Sequence, residues 1–198
     1  TLPIARIAAT RLRGADYPLR LYYNQRVFSR CPRYSGHSDE NTQSGIELIG
    51  ASGIRADLEI IMTAIDALHD CGARDFRIEI GHAGFFKALS NALKTSDETR
   101  DEIVDYIETK NFAALHDLLD TLAESDATRI LRNLPRLFGG GEVIERAQSM
   151  CTGKDETLPL KYLAGLYSKL KQLGLEDKIN IDLGLVHRNN YYTGVVFR

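Results

Sequence analysis

Thr42-Gln43-Ser44-Gly45-Ile46-Glu47-Leu48-Ile49-Gly50 alternates its side chains with the two-residue period of a β-strand. Gln43, Gly45 and Glu47 fall on one face; Ser44, Ile46 and Leu48 fall on the other. Upstream, Leu19, Leu21 and Tyr23 alternate with Arg20, Tyr22 and Asn24 in a second strand that runs to Phe28. Between them residues 30–41 are polar, with Pro32, Gly36 and Asp39, and read as a loop. Two such strands joined by one polar loop predict a long antiparallel hairpin.

Helices flank this hairpin on both sides. Ile4 to Arg13 has helical spacing and stops at Gly14, and Asp57 to Cys71 places Leu58, Ile61, Met62, Ile65 and Leu68 on one stripe before Gly72. Phe76 to Gly81 reads as a strand, His82-Ala83-Gly84 as a turn, and Phe85 to Leu93 as a helix. Residues 96–173 are helical and charged, opening on Ser96 with half a capping box to Thr99 and with Asp97 and Glu98 in the first turn. Ile103, Tyr106 and Ile107 form one apolar stripe and Leu115, Leu118, Leu119 and Leu122 another; Leu158 to Leu173 is a last long helix. Gly139-Gly140-Gly141 follows a helical segment and lacks the Lys-Ser/Thr of a phosphate loop, so it reads as a joint. Strand alternation returns at Ile179, Ile181, Leu183 and Leu185, and Tyr191 to Phe197 closes a hairpin around Asn189-Asn190. The order lacks βαβ repetition, which predicts the α+β class, with a mostly antiparallel sheet. Residues 1–95 and 174–198 form a discontinuous core and 96–173 a helical insertion. The chain opens on Thr1-Leu2-Pro3 and closes directly after an apolar run, and it reads as the middle of a longer protein.

Composition sets outer limits. Of 198 residues, 43% are hydrophobic and 26% charged, as in globular domains, and a net charge of -2 calls for no nucleic-acid partner. No apolar run reaches the roughly 20 residues that span a bilayer. Cys31, Cys71 and Cys151 are odd in number and far apart, which fits reduced thiols in a cytoplasmic protein. His37, His69, His82, His116 and His187 lack zinc-ligand spacing, so no metal or cofactor is expected.

Chemistry concentrates on the hairpin. Gln43 and Glu47 stand about 13 Å apart on one strand face. Together with the ring and hydroxyl platform of Tyr191-Tyr192 they would suit a small molecule carrying a cation, a carboxylate and a flat nitrogen ring, the requirements of free histidine. On spacing alone, a solvated sheet face is the plainer reading.

Thr42-Gln43-Ser44-Gly45-Ile46-Glu47-Leu48-Ile49-Gly50, Ile80-Gly81-His82-Ala83-Gly84-Phe85-Phe86 and Val186-His187-Arg188-Asn189-Asn190-Tyr191-Tyr192-Thr193-Gly194 resemble the active-site strands of class II histidyl-tRNA synthetases and of their non-charging relatives, the regulatory subunits of ATP phosphoribosyltransferase. The resemblance implies a class II synthetase-like core and a histidine site built from Gln43, Glu47, Tyr191, Tyr192 and Thr1. Where it places an arginine fourteen residues before the glutamine, this chain has Ser29; where it places the second catalytic arginine, the chain has His187. The regulatory branch is therefore the better fit. It implies a non-catalytic subunit in histidine biosynthesis that binds free histidine as feedback effector, joins a catalytic ATP phosphoribosyltransferase subunit in a hetero-oligomer and self-associates at full length. The alternative is an active histidyl-tRNA synthetase core that activates histidine with ATP and transfers it to tRNA.

Overall fold

The computed structural model describes residues 2–28, 30, 36, 38–186 and 192–198. The chain divides into two compact units, one ending at Ala67 and one running Leu68–Arg198. The class is α+β, as the element order predicts.

The first unit opens with α1 (Leu2–Thr10), which buries Ala8. The hairpin follows, with β1 (Leu19–Phe28) and β2 (Glu40–Ile49) antiparallel in a register that sets Leu19 opposite Ile49 and Phe28 opposite Glu40. Helix α2 (Ile54–Asp70) carries the chain across the unit boundary and buries Ile61 and Ile65. Its end is a Schellman closure: the Ala73 N–H bonds the Leu68 carbonyl at 3.0 Å and the Gly72 N–H bonds the His69 carbonyl at 2.9 Å. Gly72 adopts φ 87°, the left-handed conformation that closure needs.

The second unit is built on a four-stranded sheet in the order β4-β5-β3-β6. Its strands are β3 (Ile78–His82), β4 (Phe138–Gly139), β5 (Ile179–Asp182) and β6 (Val195–Phe197). β3 runs parallel to β5 and antiparallel to β6, and β4 is antiparallel to β5. Ile78 and Ile80 of β3 and Ile179 and Ile181 of β5 bury the same face of neighbouring strands, which is what their alternation demands. Among the described residues this unit also carries the helices α3 (Ala83–Ala92), α4 (Asp97–Glu108), α5 (Phe112–Asp120), α6 (Asp126–Asn133), α7 (Glu142–Met150) and α8 (Lys154–Gln172), of which α3, α7 and α8 meet the sheet. α3 packs on α8, and α8 on β3. Phe85, Leu89, Leu160, Leu163, Leu166 and Leu170, spaced three or four apart, fill that seam and are almost wholly buried.

The caps follow their chemistry. The Ser96 hydroxyl accepts from the Thr99 N–H at 3.2 Å, the half capping box expected there. A full box holds α6, where Ser125 accepts from the Thr128 N–H at 3.2 Å and the Thr128 hydroxyl accepts from the Ser125 N–H at 2.8 Å. α4 ends in another Schellman closure, in which Lys110 takes the left-handed position at φ 54°.

Four local expectations are corrected. The last two strands are not a hairpin: β5 and β6 lie on opposite sides of β3, each laddered to it. Asn189-Asn190, read as the turn, lie outside the described residues. β3 starts at Ile78, and Phe76 precedes it, with its ring 5.1 Å from that of His69 and 4.8 Å beneath the Lys178 ammonium. There is no turn at His82: it is the last residue of β3 and the N-cap of α3, its Nδ1 accepting from the Gly84 N–H at 3.0 Å. Finally, Gly139 is a strand residue, paired with Ile181, inside the stretch read as helical.

Among the described residues Asp182 and Thr128 are the buried polar side chains. The Asp182 Oδ1 accepts from the Gly184 N–H at 2.9 Å and its Oδ2 lies 3.6 Å from the Arg198 guanidinium. Burial pushes its pKa above the usual carboxylate range and Glu79 adds to the push, while Gly184, Arg198 and Lys110 oppose it. A carboxyl with a raised native pKa contributes stability at low pH that is lost as pH rises through that pKa. Asp182→Asn, which has no charge to bury, is therefore expected to gain stability relative to wild type between pH 4 and pH 7, as urea denaturation at the two pH values would read. A pH-independent difference would contradict this.

Candidate functional site

The hairpin register makes one face of β1–β2 a defined surface. Glu47 stands opposite Leu21, Gly45 opposite Tyr23 and Gln43 opposite Gln25, and directly opposed residues share a face. The other face carries Arg20 opposite Leu48 and Tyr22 opposite Ile46. Arg20 on that other face forms a bidentate pair with Glu59 of α2, with Nη2 to Oε2 at 2.9 Å. Glu47 is half-buried and Gln43 exposed.

Gly45 is the centre of this face. A Cβ built on it would overlap the Tyr23 Cζ and hydroxyl oxygen and come within 2.6 Å of Cε1. The absent side chain is what lets the Tyr23 ring lie across β2, between the rungs of Gln43 and Glu47. The Tyr23 hydroxyl thereby joins Gln25, Gln43 and Glu47 as a polar group on the face. It escapes a reading of β2 alone, because only the register with β1 brings it there; the signal was the lone glycine inside a strand.

Of the other residues expected at the site, Tyr192 belongs to the second unit and is 39% exposed. It lines a cavity of about 490 Å³ with Phe86 and Lys87 of α3, Arg100 and Val104 of α4, and Val196 of β6. Arg100 is held in place by Asp97 at 2.6 Å and by the Leu93 carbonyl at 3.2 Å. Thr1, Ser29, His187 and Tyr191 lie outside the described residues. So do Cys31 and Arg188, whereas Arg30 is described and exposed, beyond the end of β1.

Among the described residues no group of three or more His, Cys, Asp or Glu side chains is arranged to hold a metal, and no helix is long and apolar enough to cross a membrane. Burial, reinforced by Glu156 and Asp126, pushes the Cys151 thiol up to about 11, so it is a poor nucleophile at neutral pH.

Known proteins resemble the whole chain. A family model described as histidyl-tRNA synthetase matches residues 1–198. The ATP phosphoribosyltransferase regulatory subunit of Clostridium kluyveri is 41% identical over 201 residues, covering 100% of this chain and 51% of the relative. Among solved structures, an ATP phosphoribosyltransferase regulatory subunit/histidyl-tRNA synthetase from Bacillus halodurans is 34% identical with a TM-score of 0.88, covering 100% of this chain and 52% of that one. A histidyl-tRNA synthetase from a Nostoc species matches at TM-score 0.78 and 20% identity, covering 100% of this chain and 47% of that one, a likeness of fold. The chain spans about half the length of the curated relatives it matches.

Proposed function

Because the chain belongs to the histidyl-tRNA synthetase family, we propose that it is part of a non-catalytic regulatory subunit of ATP phosphoribosyltransferase. In this reading the full-length protein self-associates, binds a catalytic ATP phosphoribosyltransferase subunit and supports its turnover. Free histidine, held by Gln43, Glu47, Tyr191, Tyr192 and Thr1, acts as the feedback effector, and the protein works in the cytoplasm. Residues 96–173 form a helical insertion in a class II synthetase-like core of 1–95 and 174–198.

One observation carries the proposal. The recognition strand with Gln43 and Glu47 on one face accompanies Ser29 and His187 at the positions where the resemblance places the synthetase's arginines. A serine hydroxyl has no charge, and an imidazole is half neutral near pH 6.5 and lacks the two-pronged donor of a guanidinium. The set suits holding an amino acid and lacks the cations that grip ATP. Relatives named as the regulatory subunit, 37–41% identical to this chain, support the same branch.

The mechanism needs only differential binding. Histidine that favours one conformation of the assembly shifts the catalytic subunit by the difference in its affinity for the two states, typically about 1–3 kcal/mol. The test mixes the full-length protein with a short-form catalytic subunit. Turnover should rise on mixing and fall when L-histidine is added; unchanged turnover on mixing rejects the proposal.

Glu47→Gln isolates the effector site. The change keeps the shape and removes the charge that would face a ring N–H. Hydrogen bonds to charged groups are worth about 1.5–3 kcal/mol, so histidine affinity of the full-length protein should fall roughly 10- to 150-fold by calorimetry. A loss under threefold would place the ligand elsewhere.

A further inference from the structure

We propose that Tyr23, admitted by Gly45, is the specificity-determining floor of the amino-acid site: its ring supports the ligand's flat side chain and its hydroxyl hydrogen-bonds a ring nitrogen. The inference rests on the histidine-binding reading above and deepens it.

The register supplies the geometry. Along one face of the hairpin the rungs are Leu21 with Glu47, Tyr23 with Gly45, and Gln25 with Gln43. One end therefore offers a carboxylate beside an apolar flank, and the other offers two amides. Between them stands a single aromatic residue with a polar tip. With about 3.3 Å per strand residue, Gly45 is about 6.5 Å along the strand from Gln43 and from Glu47. The Tyr23 hydroxyl occupies the space above Gly45, whose rung separates those of Gln43 and Glu47. A small molecule bound by Gln43 at one end and Glu47 at the other must pass over that ring.

Gly45 is chemically required by this arrangement. A glycine in a strand interior weakens the strand and often marks close approach of another group. The approaching group here is the directly opposed tyrosine, lying over the bare backbone instead of standing upright beside a neighbour. The ring is half-buried. A flat, amphipathic side chain in that posture suits a flat ligand with polar ring atoms: the ring stacks and the hydroxyl donates or accepts. An aliphatic amino acid would give the Tyr23 hydroxyl no ring nitrogen to bond, and a site built to hydrogen-bond rejects such analogues strongly.

The experiment uses the full-length protein and two probes, L-histidine and L-β-(2-thienyl)alanine, whose ring is similar in size but has no nitrogen. Calorimetry on wild type, Tyr23→Phe and Gly45→Ala gives the ratio of the two affinities. Tyr23→Phe keeps the ring and the hairpin and removes only the hydroxyl. It should weaken histidine about fivefold to tenfold, as expected for one hydrogen bond, and leave the thienyl analogue within twofold. The histidine preference then falls by the same factor, which a purely structural role for Tyr23 would not produce. Gly45→Ala displaces the ring and should weaken both probes. Wild-type binding of histidine with an unchanged ratio in Tyr23→Phe overturns the role of Tyr23 and spares the site. No histidine binding by wild type overturns the site itself, and the role of Tyr23 with it.

Discussion

Full-length protein incubated with L-histidine, ATP and labelled pyrophosphate is expected to show no exchange above background. Adenylate formation builds negative charge at the α-phosphate, and a fixed cation or donor aimed at such charge is worth about 2.7–4 kcal/mol, or 10²–10³ in rate. Two of the positions where the resemblance places arginines hold Ser29 and His187. Neither supplies a permanent charge, and a slip that substituted Arg30 for Ser29 would turn its side chain to the opposite face of an extended strand. Losses at two positions of one machine do not multiply simply, yet even one full loss plus part of the second leaves the rate at least about a thousandfold down. Lowering the pH toward 6 charges an imidazole but leaves it without the guanidinium fork, so exchange should remain absent there as well. Exchange within tenfold of an ordinary synthetase would reinstate the charging enzyme.

The largest stability effect is expected from Phe85→Ala. Phe85 is fully buried in the first turn and a half of α3, in the seam with α8 and directly after β3. Truncation removes its buried surface and leaves a cavity among leucines that are themselves fixed by packing. The cost for such changes is about 3–5 kcal/mol, a large share of the roughly 5–15 kcal/mol that holds a domain together. Urea denaturation, followed by amide exchange in α3 and β3, should show that loss, whereas Phe85→Leu should cost about 1.5 kcal/mol or less. A loss below 1 kcal/mol in Phe85→Ala would mean that the seam relaxes to fill the void.

Periodicity made much of the fold legible. The alternation over Leu19–Phe28 and Thr42–Ile49 gave the hairpin nearly to the residue, and the stripe ending at Gly72 gave α2. The face shared by Gln43 and Glu47 follows from the same two-residue period. What escaped has physical causes. β4 has two residues, too few for any period, and exists because β5 offers it a ladder. α5 and α6 are separate helices because Ser125 and Thr128 cap the second, a box completed by threonine where glutamate or glutamine is the usual signal. The last two strands read as neighbours because they are adjacent in the chain, but β3 is the better partner for both.

The sequence by itself determined the fold class, the hairpin and the identity of the residues proposed to meet histidine. It also determined the absence of arginine at positions 29 and 187, since side-chain chemistry and a two-residue period are local properties. Only the tertiary structure decided that β3 separates β5 from β6, that Gly139 pairs with Ile181, and that Tyr23 lies over Gly45 between Gln43 and Glu47. Those facts depend on which strand pairs with which and in what register, and pairing is fixed by contacts between residues far apart in the chain.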